Sequence, residues 1–110
     1  MNGPERKWKR YKVDIRLRIR DWDNAEGAVS VVRSYELSEG GMSVYVSEAL
    51  EVGTNVLTEF SLRDSSEPLR VKAVVRNQRG FRCGLEFVEL PLAARLEIAR
   101  YLGTFDVIEI

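Results

Sequence analysis

Val13-Asp14-Ile15-Arg16-Leu17-Arg18-Ile19-Arg20 alternates without a break between apolar and charged side chains. Successive side chains of a strand point to opposite faces, so the four apolar residues share one side and the four charged residues the other. The stretch predicts a half-buried strand with a wet, largely basic outer face. Downstream, Asp21-Trp22-Asp23-Asn24-Ala25-Glu26-Gly27 is turn-rich and closes a hairpin onto a second strand over 28–37. That strand ends at Ser38-Glu39-Gly40-Gly41, where two glycines permit a tight reversal. A third strand follows with Met42, Val44 and Val46 inward, and residues 47–53 connect it to a fourth over 56–62.

The next turn, around Pro68, leads to a fifth strand over 69–76 with Leu69, Val71, Ala73 and Val75 inward. Asn77-Gln78-Arg79-Gly80 turns the chain into a sixth over 81–88, with Phe81, Cys83, Leu85 and Phe87 on one side. Short strands at this regular spacing indicate a small antiparallel barrel or sandwich. The period then changes. Pro91 suits a helix start, Leu92, Leu96 and Ala99 share a face, and Gly103 suits its end, predicting a helix over 91–103 that packs over one open end of the barrel. The tail 104–110 is apolar enough for a short extra strand or a contact with a partner. The 110 residues are thus expected to form one domain: arm 1–12, β-barrel 13–90, C-terminal helix 91–103 and tail 104–110.

Composition removes most catalytic chemistries. The chain has no histidine, so imidazole bases, histidine triads and histidine-ligated zinc are excluded. The single cysteine, Cys83, cannot form an internal disulfide or a thiolate metal site, and its strand pattern makes it a buried small hydrophobe. Asp21-x-Asp23-Asn24-x-Glu26-Gly27 has the look of a calcium loop, but its glycine stands one position late and Val32 occupies the place of the closing glutamate. No metal and no catalytic residue are therefore assigned. No apolar run approaches the roughly 18–20 residues of a membrane span, and the expectation is a cytoplasmic protein without membrane insertion.

Charge is distributed unevenly although the formal net charge is zero. Residues 1–20 hold eight Lys or Arg against two acids, a net of +6 balanced by −6 over the rest. Much of this excess is the arm Arg6-Lys7-Trp8-Lys9-Arg10. A guanidinium is planar, always charged and forked, so Arg6 and Arg10 can grip a phosphate, pair with the O6 and N7 edge of guanine, or stack on a base. Trp8 between them stacks on a base, inserts into a partner or rests against the barrel. The turn after the second strand supplies complementary groups. Glu36 can accept hydrogen bonds from guanine N1 and N2, Ser38 brings a hydroxyl, and Gly40 and Gly41 allow close main-chain approach with N–H donors exposed. Arm and turn together point to a ligand that carries both phosphate and base.

Arg6-x-x-x-Arg10 before a strand, followed by Glu36-x-Ser38-x-x-Gly41, resembles the PilZ domain with its RxxxR arm and (D/N)xSxxG turn. The segments 68–76 and Gly84-Leu85-Glu86-Phe87 look like later strands of that family, so the resemblance covers essentially the whole chain. It implies a mainly all-β, six-stranded antiparallel barrel with a flexible basic N-terminal arm and one C-terminal helix. It implies cyclic di-GMP as ligand, bound by Arg6, Arg10, Glu36, Ser38, Gly40 and Gly41, with no other cofactor. Glu36 stands where the family has Asp or Asn, one methylene longer.

Three readings stay open. In the first, the protein is a cyclic di-GMP receptor whose arginine arm closes over the ligand and alters a surface offered to a downstream protein partner. A homodimer bridged by ligand belongs to the same reading. In the second, it is an adaptor of the same fold that binds the nucleotide weakly or not at all because of Glu36. The third, a small nucleic-acid-binding barrel, is motivated by Arg16, Arg18 and Arg20. It is disfavoured because no aromatic residues are interleaved with these arginines to stack on bases.

Overall fold

The computed structural model describes residues 8–24, 26–62, 67–104 and 108–109. The elements, in chain order, are β1 (Tyr11–Asp21), β2 (Ser30–Leu37), β3 (Gly41–Tyr45), β4 (Asn55–Phe60), β5 (Leu69–Arg79), β6 (Arg82–Phe87), α1 (Leu92–Leu102) and β7 (Ile108–Glu109). The sheet runs β2-β3-β6-β5-β4-β1-β7, and β1 also pairs with β2, which closes β1–β6 into a six-stranded antiparallel barrel. β1 achieves closure by length. Its stretch from Tyr11 to Ile19 pairs with β2, and Leu17–Asp21 pairs with β4 on the other edge. β7 adds a short pairing to the start of β1, Tyr11 with Glu109 and Lys12 with Ile108. The tail therefore does contribute a strand.

Alternation places the core as the sequence predicts. Ile15, Leu17 and Ile19 of β1, Met42 and Val44 of β3, Val71, Ala73 and Val75 of β5, and Cys83, Leu85 and Phe87 of β6 are buried in one cluster. Two buried hydroxyls are satisfied. Thr58 Oγ1 donates to the Val71 carbonyl at 2.7 Å, and Ser34 Oγ lies 3.0 Å from the carbonyls of both Glu36 and Ser43. The Ser34 contacts pin a β-bulge, because the β2–β3 register shifts between Ser34 and Glu36, leaving Tyr35 as the extra residue.

Two expectations are corrected. Phe81 is not inward but 71% exposed. β5 runs through Asn77, Gln78 and Arg79, so Gly80-Phe81 is the two-residue turn between the paired Arg79 and Arg82. Side chains beyond the last ladder pair no longer obey alternation, and Gly80 supplies the φ of +59° that the turn requires. The helix also buries a different face, with Leu92 and Leu96 exposed and Ala94, Ile98 and Leu102 buried. The Leu92–Leu96 stripe runs on to Arg100, so burying it would desolvate a charge. The stripe at 94, 98 and 102 stays apolar for its whole length, and Ile98 and Leu102 join the barrel core. Among the described residues no helix is long and apolar enough to cross a membrane.

Candidate functional site

The turn from β2 to β3 is built around Ser38. Its N–H donates to the Gly41 carbonyl at 2.9 Å, and its Oγ accepts from the N–H groups of Gly40 at 3.1 Å and Gly41 at 3.2 Å. The glycine N–H donors expected to face a ligand are thus turned onto the serine hydroxyl. Both glycines are needed for close approach. A Cβ at Gly41 would collide with the Leu85 carbonyl of β6, and one at Gly40 would collide with the Trp8 indole. Gly40 also accepts from Phe87 N–H at 2.9 Å, so the turn is tied to the end of β6.

Trp8 therefore rests against the barrel, one of its three expected positions. The Arg95 guanidinium of α1 lies 5.3 Å from its ring, within cation–π range. Two residues on, Arg10 Nη1 is 3.4 Å from Glu36 Oε1. Glu36 also receives Ser43 Oγ at 3.5 Å and is only 18% exposed, whereas Arg10 is 45% exposed. Arg6, the other arginine of the pattern, lies outside the described residues.

These groups surround a cavity of ≈ 280 Å³ that takes in Arg10, Glu36, Ser38, Gly40 and Gly41, every described residue of the expected set. Its floor is a continuous cross-strand row on the outer barrel face: Glu36 opposite Ser43, Ser43 opposite Gly84, and Gly84 opposite Asn77. Trp8 and Arg10 form one wall. An Arg76–Glu86 ion pair of 2.7 Å also lines the cavity. A larger recess of ≈ 810 Å³ opens where β1 parts from β4, near Arg16, Glu59, Ser61 and Tyr101. It holds none of the turn residues, and the smaller cavity is the better candidate because only there do a forked cation, a carboxylate and close-approach glycines converge.

Ser43, Asn77 and Gly84 were not among the expected site residues. Gly84 carried a signal, since a glycine within an otherwise apolar strand marks close approach. The Asn77 amide fills the space where a Gly84 Cβ would stand. Asn77 gave no such signal, because its place depends on the β5–β6 register, which shifts between Val75 and Asn77.

Three solved structures share this fold at low sequence identity. The Bacillus subtilis inhibitor of motility MotI/DgrA superposes with a TM-score of 0.73 at 18% identity, over 89% of this chain and 49% of that one. The chain thus spans about half the length of that protein. The PilZ domain of E. coli YcgR, solved with c-di-GMP, gives 0.70 at 16% identity, covering 88% of both chains. The PilZ domain of CeSA from a cellulose-synthesizing bacterium gives 0.66 at 19% identity, covering 83% of this chain and 91% of that one. No curated protein sequence matches. The PilZ domain family model matches residues 4–103, which takes in arm, turn, barrel and helix, and the chain belongs to the PilZ domain family.

Proposed function

We propose that this protein is a cytoplasmic cyclic di-GMP receptor that recognises its ligand without chemically altering it. The observation that carries the reading is the convergence of Arg10, Glu36, Ser38, Gly40 and Gly41 on one cavity, in a family whose E. coli member was solved with that nucleotide. Ser38 acts as the brace of the turn, since its hydroxyl is engaged by Gly40 and Gly41. Glu36 holds Arg10 across the site. A phosphate offers the same guanidinium fork a competing anion, so binding exchanges one partner of Arg10 for another and leaves Glu36 to accept from a guanine edge. Arg6 is assigned the second grip on the ligand from the arm. The arm then closes over the nucleotide and changes the surface offered to a downstream protein.

Isothermal calorimetry of the full chain tests this. Saturable binding of cyclic di-GMP is expected, weakened at least about 30-fold by Arg10→Ala, since charge-assisted hydrogen bonds contribute more than neutral ones. No heat of binding at high micromolar ligand overturns the reading. The adaptor alternative draws on the Arg10–Glu36 pair itself, which already occupies the cation. It predicts that only Glu36→Asp, shorter by one methylene, confers measurable binding.

A further inference from the structure

Beside the cavity floor, the same outer face carries a second row of side chains. Cross-strand pairing sets Arg33 opposite Tyr45, Tyr45 opposite Arg82, and Arg82 opposite Arg79. Residues directly opposite in a ladder project from one face. Their neighbours Val44, Val46 and Cys83 are buried, so this row points to solvent. Tyr35, the bulged residue of β2, adds its ring 4.4 Å from that of Tyr45, and the Arg82 guanidinium lies 5.8 Å from the Tyr35 ring. Tyr45 is 46% exposed, and Phe81 stands exposed at the adjoining hairpin tip.

Among the described residues, Arg79 and Arg82 lack the carboxylate partner that the other arginines of β5 have, whereas Arg33 at the far end of the row is paired with Asp14. Arg70 of β5 faces Glu59 of β4 at 2.8 Å, and Arg76 pairs with Glu86 of β6. Arg79, farther along the same strand, faces Arg82 instead, and among the described residues neither has an ion pair. Like charges directly opposite each other destabilise a sheet, and exposed aromatic rings add nothing to the core. The Tyr35–Tyr45 ring pair supports the sheet, but the facing Arg79 and Arg82 do not; an external anion would offset their repulsion.

We propose that Arg79, Arg82, Tyr45 and Phe81 form a docking surface for an acidic segment of a partner protein. Carboxylates of the partner would pair with the two guanidinium forks, and an apolar side chain would lie against Tyr45 and Phe81. With strands about 4.8 Å apart the stretch from Tyr45 on β3 to Arg79 on β5 is about 10 Å wide, which suits roughly three residues of extended chain. Nucleic acid fits less well, because the Tyr35 and Tyr45 rings pack on each other and are not both free to stack on bases. The row uses none of the cavity residues, so it stands or falls independently of cyclic di-GMP binding.

Random short peptides displayed on phage, selected on the immobilised ligand-free full chain, provide the probe. The selected peptides are expected to carry Asp or Glu next to an aromatic or aliphatic residue. In fluorescence anisotropy they should lose at least about tenfold in affinity with Arg79→Glu/Arg82→Glu, and also with Tyr45→Ala. Should the glutamate pair disturb folding, Arg79→Gln/Arg82→Gln relieves the like-charge contact and is expected to weaken binding in the same direction. Peptides without an acidic bias, or peptides that bind the double variants as well as the parent, overturn the proposal. So does single-stranded DNA that displaces the peptides and is itself lost in the double variants.

Discussion

Gly40 and Gly41 are neighbours in one turn, yet they are glycine for different reasons. At Gly41 the obstacle is backbone, the Leu85 carbonyl of the paired strand β6. Gly41→Ala is therefore expected to spread β3 from β6 and to cost about 1–3 kcal/mol in urea unfolding. At Gly40 the obstacle is the Trp8 side chain, which can move. Gly40→Ala should cost less than about 1 kcal/mol. It should shift Trp8 emission toward that of a solvated indole, measured with Trp22→Phe to silence the other tryptophan. The turn was legible in the sequence as a glycine pair, but what each glycine makes room for was not. Trp8 and Leu85 reach it from the arm and from β6, contacts that no local pattern encodes.

Among the elements, the strands were read well and the helix less so. Period two leaves one choice of inner face, whereas the helix at 92–102 carries two apolar stripes and only packing selects between them. Ile98→Ala is expected to cost about 2–5 kcal/mol because the side chain is wholly buried in the core. Leu96→Ala, on the stripe that the sequence favoured, should stay within about 0.5 kcal/mol. Urea midpoints of the two variants measure the difference; equal losses would contradict the observed docking. The β5–β6 hairpin shows the matching limit for sheets. Its turn lies at Gly80-Phe81, later than Asn77 suggested, because a register shift lengthens β5 and so carries Asn77 into the cavity floor.

At the scale of the whole molecule, the buried thiol reports on the integrity of the barrel. Burial pushes the Cys83 thiol up from its ordinary value, since the thiolate would lose its hydration. The folded protein thus keeps its proton to higher pH than the unfolded chain, whose thiol titrates near about 8.5. The contribution is complete below that value and is lost as pH rises toward the folded pKa, because the unfolded state then binds fewer protons. Stability by urea unfolding should accordingly fall above about pH 8.5, and Cys83→Ala should remove that part of the fall. Unaltered pH dependence in Cys83→Ala would refute the assignment.

The pairing of Tyr11 with Glu109 has a separate consequence for anything joined to this domain. Because Lys12 is itself opposite Glu36, both ends of the described chain leave the barrel beside the cavity. The described chain thus enters and leaves the barrel at nearly the same place, so joining a module before rather than after it would change the module's direction of departure more than the distance of its attachment from the cavity. A short linker would confine either module to the neighbourhood of the cavity, at high local concentration, while a long one would release it.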